Sequence, residues 1–140
     1  MIDTKTAPYA ALVLRVALGV MYVAHSLYLK VFVFTVAGTV GFFESLGLPA
    51  LFAYLTLFAE IAGGIALILG FQTRLVALAL LPVLIGATWV HAGNGWVFSN
   101  QGGGWEYPVF LIVASVVQAL LGSGAYAVKS PAFLGQRVAA

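Results

Sequence analysis

The sequence predicts an all-α fold: an integral membrane four-helix bundle with a short interfacial helix between spans one and two. Three observations carry that reading. Charged residues make up only 7% of the 140, hydrophobic ones 63%, and the mean hydropathy is +1.09. A water-facing domain keeps about 25% of its residues charged, so the outside of this one must face lipid. Continuous apolar runs recur, each near the roughly 20 residues that a spanning helix needs. The short alternating segments of a membrane barrel are missing. Every backbone group inside a bilayer must be bonded internally, and helices are the remaining way to do so.

The first span covers about 9–30 and includes Arg15. No small-residue cleavage site ends it, so it reads as a retained helix rather than a signal peptide. Beyond Lys30, VFVFTVAG prolongs the helix. The following TVGFFESLGLP sets Phe42, Phe43 and Leu46 on one side with Glu44 off it, the pattern of a helix lying at the interface. Pro49 suits a helix start. The second span, 50–70, stops at Gly70, a common terminator. Phe71 to Arg74 is long enough only for a turn, so spans two and three are antiparallel neighbours. The third span, 74–92, contains Pro82, which marks a kink in a membrane helix. Ala92 to Gly104 is the one long polar connection. The fourth span, 105–127, starts at Trp105-Glu106-Tyr107-Pro108, and Lys129, Pro131 and Arg137 form a tail. Residues 1–140 thus make a single transmembrane domain.

Basic residues favour the cytoplasmic side. With four spans, Lys5, Arg74, Lys129 and Arg137 share one side, while the other has Lys30 balanced by Glu44. Both termini are predicted cytoplasmic, with Trp96, Trp105 and Tyr107 anchoring the outer interface. The net charge of +2 is scattered and leaves no nucleic-acid footprint. Cysteine is absent, which excludes disulfides, thiolate metal sites and thiol relays within the chain.

Ionisable groups inside a bilayer are costly and mark functional sites. Five stand out: Arg15, His25, Glu60, His91 and Glu106. At about 1.5 Å per residue, Glu60 falls near the midplane, and Arg15 reaches a similar depth, so the two can pair. Alternatively Arg15 extends its head to the cytoplasmic headgroups. His25, His91 and Glu106 fall in the outer part of their spans. Each histidine is either a hydrogen-bonded interface residue or a ligand. Glu106 is either a working carboxylate or a first-turn residue favoured by the helix dipole. Glu60 must be paired, protonated or reachable by water. No HxxxH or ExxH pair occurs, so no metal site is expected. His25, Glu60, His91 and Glu106 are expected to converge on one cavity in the outer half, walled by Phe58, Trp89 and Phe110.

The order and spacing of several segments resemble the DoxX family of small four-helix bacterial membrane proteins. They are LRVALGVMYVAHSLYLK at 14–30, FFESLGLP at 42–49, AEIAGGIALILGFQTRL at 59–75, WVHAGNG, GGGWEYP, and Gly122 with Gly124. Ser26 stands where the family is expected to have glycine, and AYAVKS where it often places an acidic residue. The resemblance implies a role in membrane redox metabolism, since the family takes its name from a subunit associated with terminal-oxidase and thiosulfate:quinone oxidoreductase systems. It implies a bacterial cytoplasmic membrane location and a homo-oligomer or a subunit of a membrane redox complex. The ligand it suggests is quinone, with no covalently bound cofactor. In that reading Glu60, His91 and Glu106 do the proton chemistry, and His25, Arg15 and Trp89 hold the quinone, a histidine donating to its carbonyl. The other reading is a non-catalytic anchor or accessory subunit. A transporter or channel is weaker, because four helices make a pore only by oligomerising.

Overall fold

The computed structural model describes residues 3–128. Lys129, Pro131 and Arg137, on which part of the orientation argument rests, lie outside them. Helix α1 (Ala7–Val23) opens with Pro8 in its first turn and runs on as a π-helix over Ala24–Val33. Helix α2 covers Thr35–Ser45, α3 Ala50–Leu69, α4 Thr73–Ala79, α5 Leu81–His91 and α6 Glu106–Leu121. Three rods are long and apolar enough to cross a membrane: Ala7–Val33, Ala50–Leu69, and Thr73–Asn94, in which α4 and α5 join end to end. With α2 and α6 that makes five rods among the described residues, one more than a plain four-helix bundle, and no strand.

The joints follow from residue chemistry. Gly70 closes α3 in the left-handed region (φ 75°), where a side chain would be strained. Pro82 lacks an N–H and its ring crowds the carbonyl four residues back, so the third rod breaks at Leu80 into α4 and α5. Thr35 turns the chain at φ 64° and its hydroxyl accepts from Gly38 N at 3.1 Å, capping α2. Helix α6 ends at Leu121, short of residue 127, because Gly122 leaves helical geometry at φ 84°.

Helix α1 packs on α3 and α6, α4 and α5 pack on α6, and α2 lies against the π-helix and α3. The α1–α3 crossing is set by glycine. A Cβ on Gly19 would lie 2.6 Å from Gly64 O, and one on Gly64 2.9 Å from Gly19 O. Only small residues allow backbones this near. The core beside that crossing holds Leu18, Tyr22, Leu67, Ala77, Leu80, Leu84 and Leu111, while Phe58 and Phe110 face outward, 72% and 67% exposed.

Arg15 neither pairs with Glu60 nor reaches for headgroups. It is buried (1% exposed) and satisfies four backbone carbonyls. Nη1 donates to Leu67 O at 3.0 Å and to Ile68 O, Nε to Ser123 O at 2.8 Å, and Nη2 to Ala125 O at 2.9 Å. Leu67 and Ile68 lie in the last turn of α3, where carbonyls run short of helical partners; Leu67 O also accepts from Gly70 N at 3.0 Å. The segment after Gly122 folds back beside them, with Ala125 N bonded to Pro8 O and Val128 N to Leu69 O. Glu60 lies too far along α3 to compete for a guanidinium held this way. An Arg15→Met variant takes the guanidinium from all four carbonyls, leaving Leu67 O only its bond from Gly70 N, and is expected to lose about 3–5 kcal/mol. Arg15→Lys recovers only part of that, having no planar fork; unfolding by denaturant in micelles measures both.

Candidate functional site

The π-helix is the local feature that builds the site. In an α-helix residues five apart sit about 140° apart around the axis. Closing the ring with i→i+5 bonds, as Phe34 N does to Leu29 O at 2.8 Å, brings such residues toward one face. His25 and Lys30 are therefore both turned to the interior. Lys30 Nζ meets Glu60 Oε2 at 2.5 Å, with Glu60 6% exposed and Lys30 23%. Thr39 on α2 ties this turn down by donating to Lys30 O at 2.8 Å. Lys30 is thus the partner of Glu60, and does not balance Glu44 at an interface. Sequence reasoning missed it, because Lys30 read as the interfacial end of the first span, although helical spacing puts it on the face of the buried Gly19, Tyr22 and Ser26.

The pair sits at the edge of a cavity of about 320 Å³. Phe42 and Phe43 of α2, Phe52 of α3, Trp89 of α5 and Leu111 of α6 make its apolar walls, and His25, Lys30, Glu60, His91, Tyr22 and Tyr107 its polar points. Phe42, Phe52 and Trp89 are half-exposed, so this wall borders the outside of the bundle. Four of the six singled-out residues, His25, Glu60, Trp89 and His91, are brought together here. Arg15 is at the other end of the bundle. Glu106 does not line the cavity: its Oε1 accepts from Phe98 N at 2.8 Å. Nor do Phe58 and Phe110, the expected walls. Phe42, Phe43 and Phe52 take that place, because α2 folds back over α3.

Both imidazoles are fixed by backbone. His25 Nδ1 lies 3.0 Å from Met21 O, and its ring stacks on Tyr107 at 6.1 Å and 26°. His91 Nδ1 lies 3.0 and 3.2 Å from Gly102 O and Gly103 O. A carbonyl only accepts, so Nδ1 carries the hydrogen in each ring. The neutral Nε2 is then an acceptor, and it donates only when the ring is charged. The expected donation from a neutral histidine to a carbonyl is thereby reversed, and Lys30 becomes the standing donor.

The loop between α5 and α6 is built to hold His91. Asn94 Nδ2 grips the same two carbonyls at 3.0 and 2.9 Å, and Trp96 meets Trp105 edge-on at 4.4 Å. Trp105 N and Glu106 N close a hairpin onto Gly95 O and Trp96 O. Gly104 has no alternative, since a Cβ there would lie 2.2 Å from Val97 O. No group of three or more histidine, cysteine or acidic side chains is placed to hold a metal among the described residues.

The DoxX family model matches residues 10–93, which contain the π-helix, the ion pair and His91. The chain belongs to the DoxX family. It is 31% identical over 133 residues to a Bacillus subtilis (strain 168) protein named "Putative oxidoreductase CatD", covering 95% of this chain and 94% of that one. No solved structure matches. With three membrane-length helices and this kinship, the chain is a multi-pass bacterial membrane protein. Where the DoxX pattern is expected to carry glycine, Ser26 is fully buried and donates to Leu57 O at 3.2 Å. The hydroxyl finds a carbonyl on α3, so the larger residue costs little.

Breaking a buried ion pair leaves an uncompensated charge, whereas removing both partners can be nearly neutral. With Lys30 partly open to the cavity, Lys30→Met and Glu60→Leu are each expected to cost about 2–4 kcal/mol. The double variant should recover most of that loss. Four unfolding curves read as a double-mutant cycle check it, and purely additive losses would contradict the pairing.

Proposed function

We propose that this DoxX protein is a quinone-interacting membrane subunit of a redox system. The observation that carries the reading is the cavity: apolar walls opening sideways, with one cation, one carboxylate and two imidazoles at its polar edge. Its size is at the lower end of ligand pockets, which run from about 300 to 1,000 Å³. A flat, lipophilic ring with two carbonyls suits such a site, and the donor set fits it.

When bound, a quinone supplies a two-electron, two-proton couple; the residues supply place and protons. Lys30 donates to a carbonyl oxygen and is held there by Glu60. The Nε2 atoms of His25 and His91 accept from a hydroxyl, or donate when charged. Glu60 stores a proton beside Lys30. Trp89, Phe42 and Phe43 hold the ring and keep water out. Glu106 and Arg15 shape the bundle. Electrons come from a partner subunit of different sequence, as the chain, and so any second copy of it, has no cysteine for a cluster. The same reading makes α6 the fourth span of a single domain, lays α2 along the membrane interface, and keeps both termini cytoplasmic.

Quinone titration into the purified protein in nanodiscs tests this. Losing one charge-assisted hydrogen bond, worth about 1.5–3 kcal/mol, should weaken binding roughly ten- to hundredfold in Lys30→Gln and Glu60→Gln. Losing the neutral one of His91, worth about 0.5–1.5 kcal/mol, should weaken it roughly two- to tenfold in His91→Ala. Glu106→Gln should bind nearly as the native protein does. No binding of ubiquinone or menaquinone analogues would favour the accessory-subunit reading instead.

A further inference from the structure

The cavity accounts for Glu60 but not for a second run of polar side chains behind it. Tyr22, Thr73, Ser115 and Gln118 are all 1% exposed or less, between α1, α4 and α6. Tyr22 lines the cavity, and its hydroxyl is within interaction range of both Glu60 and Ser115. Ser115 and Gln118 are three apart on α6 and so share a face. Gln118 Nε2 donates to Gly122 O at 2.7 Å, and a Cβ on Gly122 would lie 3.2 Å from Arg74 Nε. Glu60, Tyr22, Ser115, Gln118, Gly122 and Arg74 are therefore successive neighbours from the cavity to the turn between α3 and α4.

Along this line Tyr22 Oη, Ser115 Oγ, Gln118 Oε1, Thr73 Oγ1 and Arg74 Nε make no well-formed hydrogen bond among the described residues. Each such group costs about 1–3 kcal/mol if left unpaired, and aliphatic residues would pack the same space without that cost. Buried groups of this kind are normally satisfied by ordered water, which needs two to four polar partners. Here the partners stand in file.

We propose that this column holds a chain of ordered waters and carries protons between the α3–α4 turn and Glu60. Each hydroxyl accepts a proton on a lone pair as it releases its own. The net event moves one proton from water at the turn to the Glu60 carboxylate, with no electron transferred and no other bond changed. Gln118 orients water and does not relay. Lys30 and Tyr22 are the titratable groups nearest Glu60, and His25, His91 and Tyr107 share its cavity. The inference rests on the quinone reading only for the column's purpose, since hydration and proton movement are measurable without any quinone.

Water-to-protein polarisation transfer in solid-state NMR, on the labelled full chain in lipid, reads the first half. The Gln118 side-chain amide should receive water magnetisation far faster than Leu67 or Ala77 beside it; equal rates would overturn the proposal. Rapid-scan infrared after a pH jump reads the second half, with the Glu60 carboxyl band identified by its loss in Glu60→Gln. Ser115→Val should slow that band by roughly tenfold or more, and Ser115→Thr, which keeps the hydroxyl, should not. A Glu60 band unaffected by Ser115→Val, or silent in the native protein, would equally overturn it. Failure of quinone binding would change neither readout.

Discussion

A carbonyl at a helix end has no water to turn to inside a bilayer, and Arg15 is how this bundle meets that constraint. One guanidinium serves carbonyls from the end of α3 and from the segment after α6, while its own backbone belongs to α1. Three parts of the chain far apart in sequence are locked at one point. The close crossing of Gly19 over Gly64 lies one turn further along the same helix, so the clamp and the crossing fix the α1–α3 angle together. Everything nearer the cavity inherits that angle. The π-helix starts where α1 leaves the crossing, and it meets Glu60 because α3 is already held.

Much of this was legible in the sequence, for identifiable reasons. Pro49, Gly70 and Pro82 act through their own backbone geometry, so the start of α3, its stop and the break in the third rod needed no tertiary context. Composition alone fixed the solvent. What was hidden depends on contacts across the bundle. Lys30 shares a helical face with the buried Gly19, Tyr22 and Ser26, but nothing in the spacing of one span names its partner on α3. Arg15 and Glu60 were expected at matching depth by counting residues into each span, but Arg15 meets Leu67 and Ile68 at the end of α3, seven and eight residues beyond Glu60. Glu106 looked like a working carboxylate and holds Phe98 N, a loop contact that no span-by-span reading finds.

The cavity residues illustrate the same division. His25, Glu60 and His91 were found from rarity, since ionisable groups in apolar runs are costly, and Trp89 as an aromatic wall. Tyr22, Ser115 and Gln118 are as deeply buried but carry no formal charge, and they pass unnoticed among apolar neighbours. Rarity of charge is a good detector of groups that line the cavity and a poor one of neutral polar columns. Those appear only when unpaired atoms are counted in three dimensions.

Arg15, buried, and Lys30, partly open to the cavity, show why the chain uses different cations at its two ends. Arg15 faces neutral carbonyls, which accept hydrogen bonds but never a proton, and its guanidinium cannot be deprotonated in a protein. A clamp needs that permanence. Lys30 faces a carboxylate that can take a proton, and a lysine ammonium can give one up when its surroundings favour the neutral form. Exchanging the two would leave a titratable group holding the bundle shut and a fixed charge in the cavity. Arginine is where the structure must not respond to protons, and lysine is where the proposed function calls for a group that can.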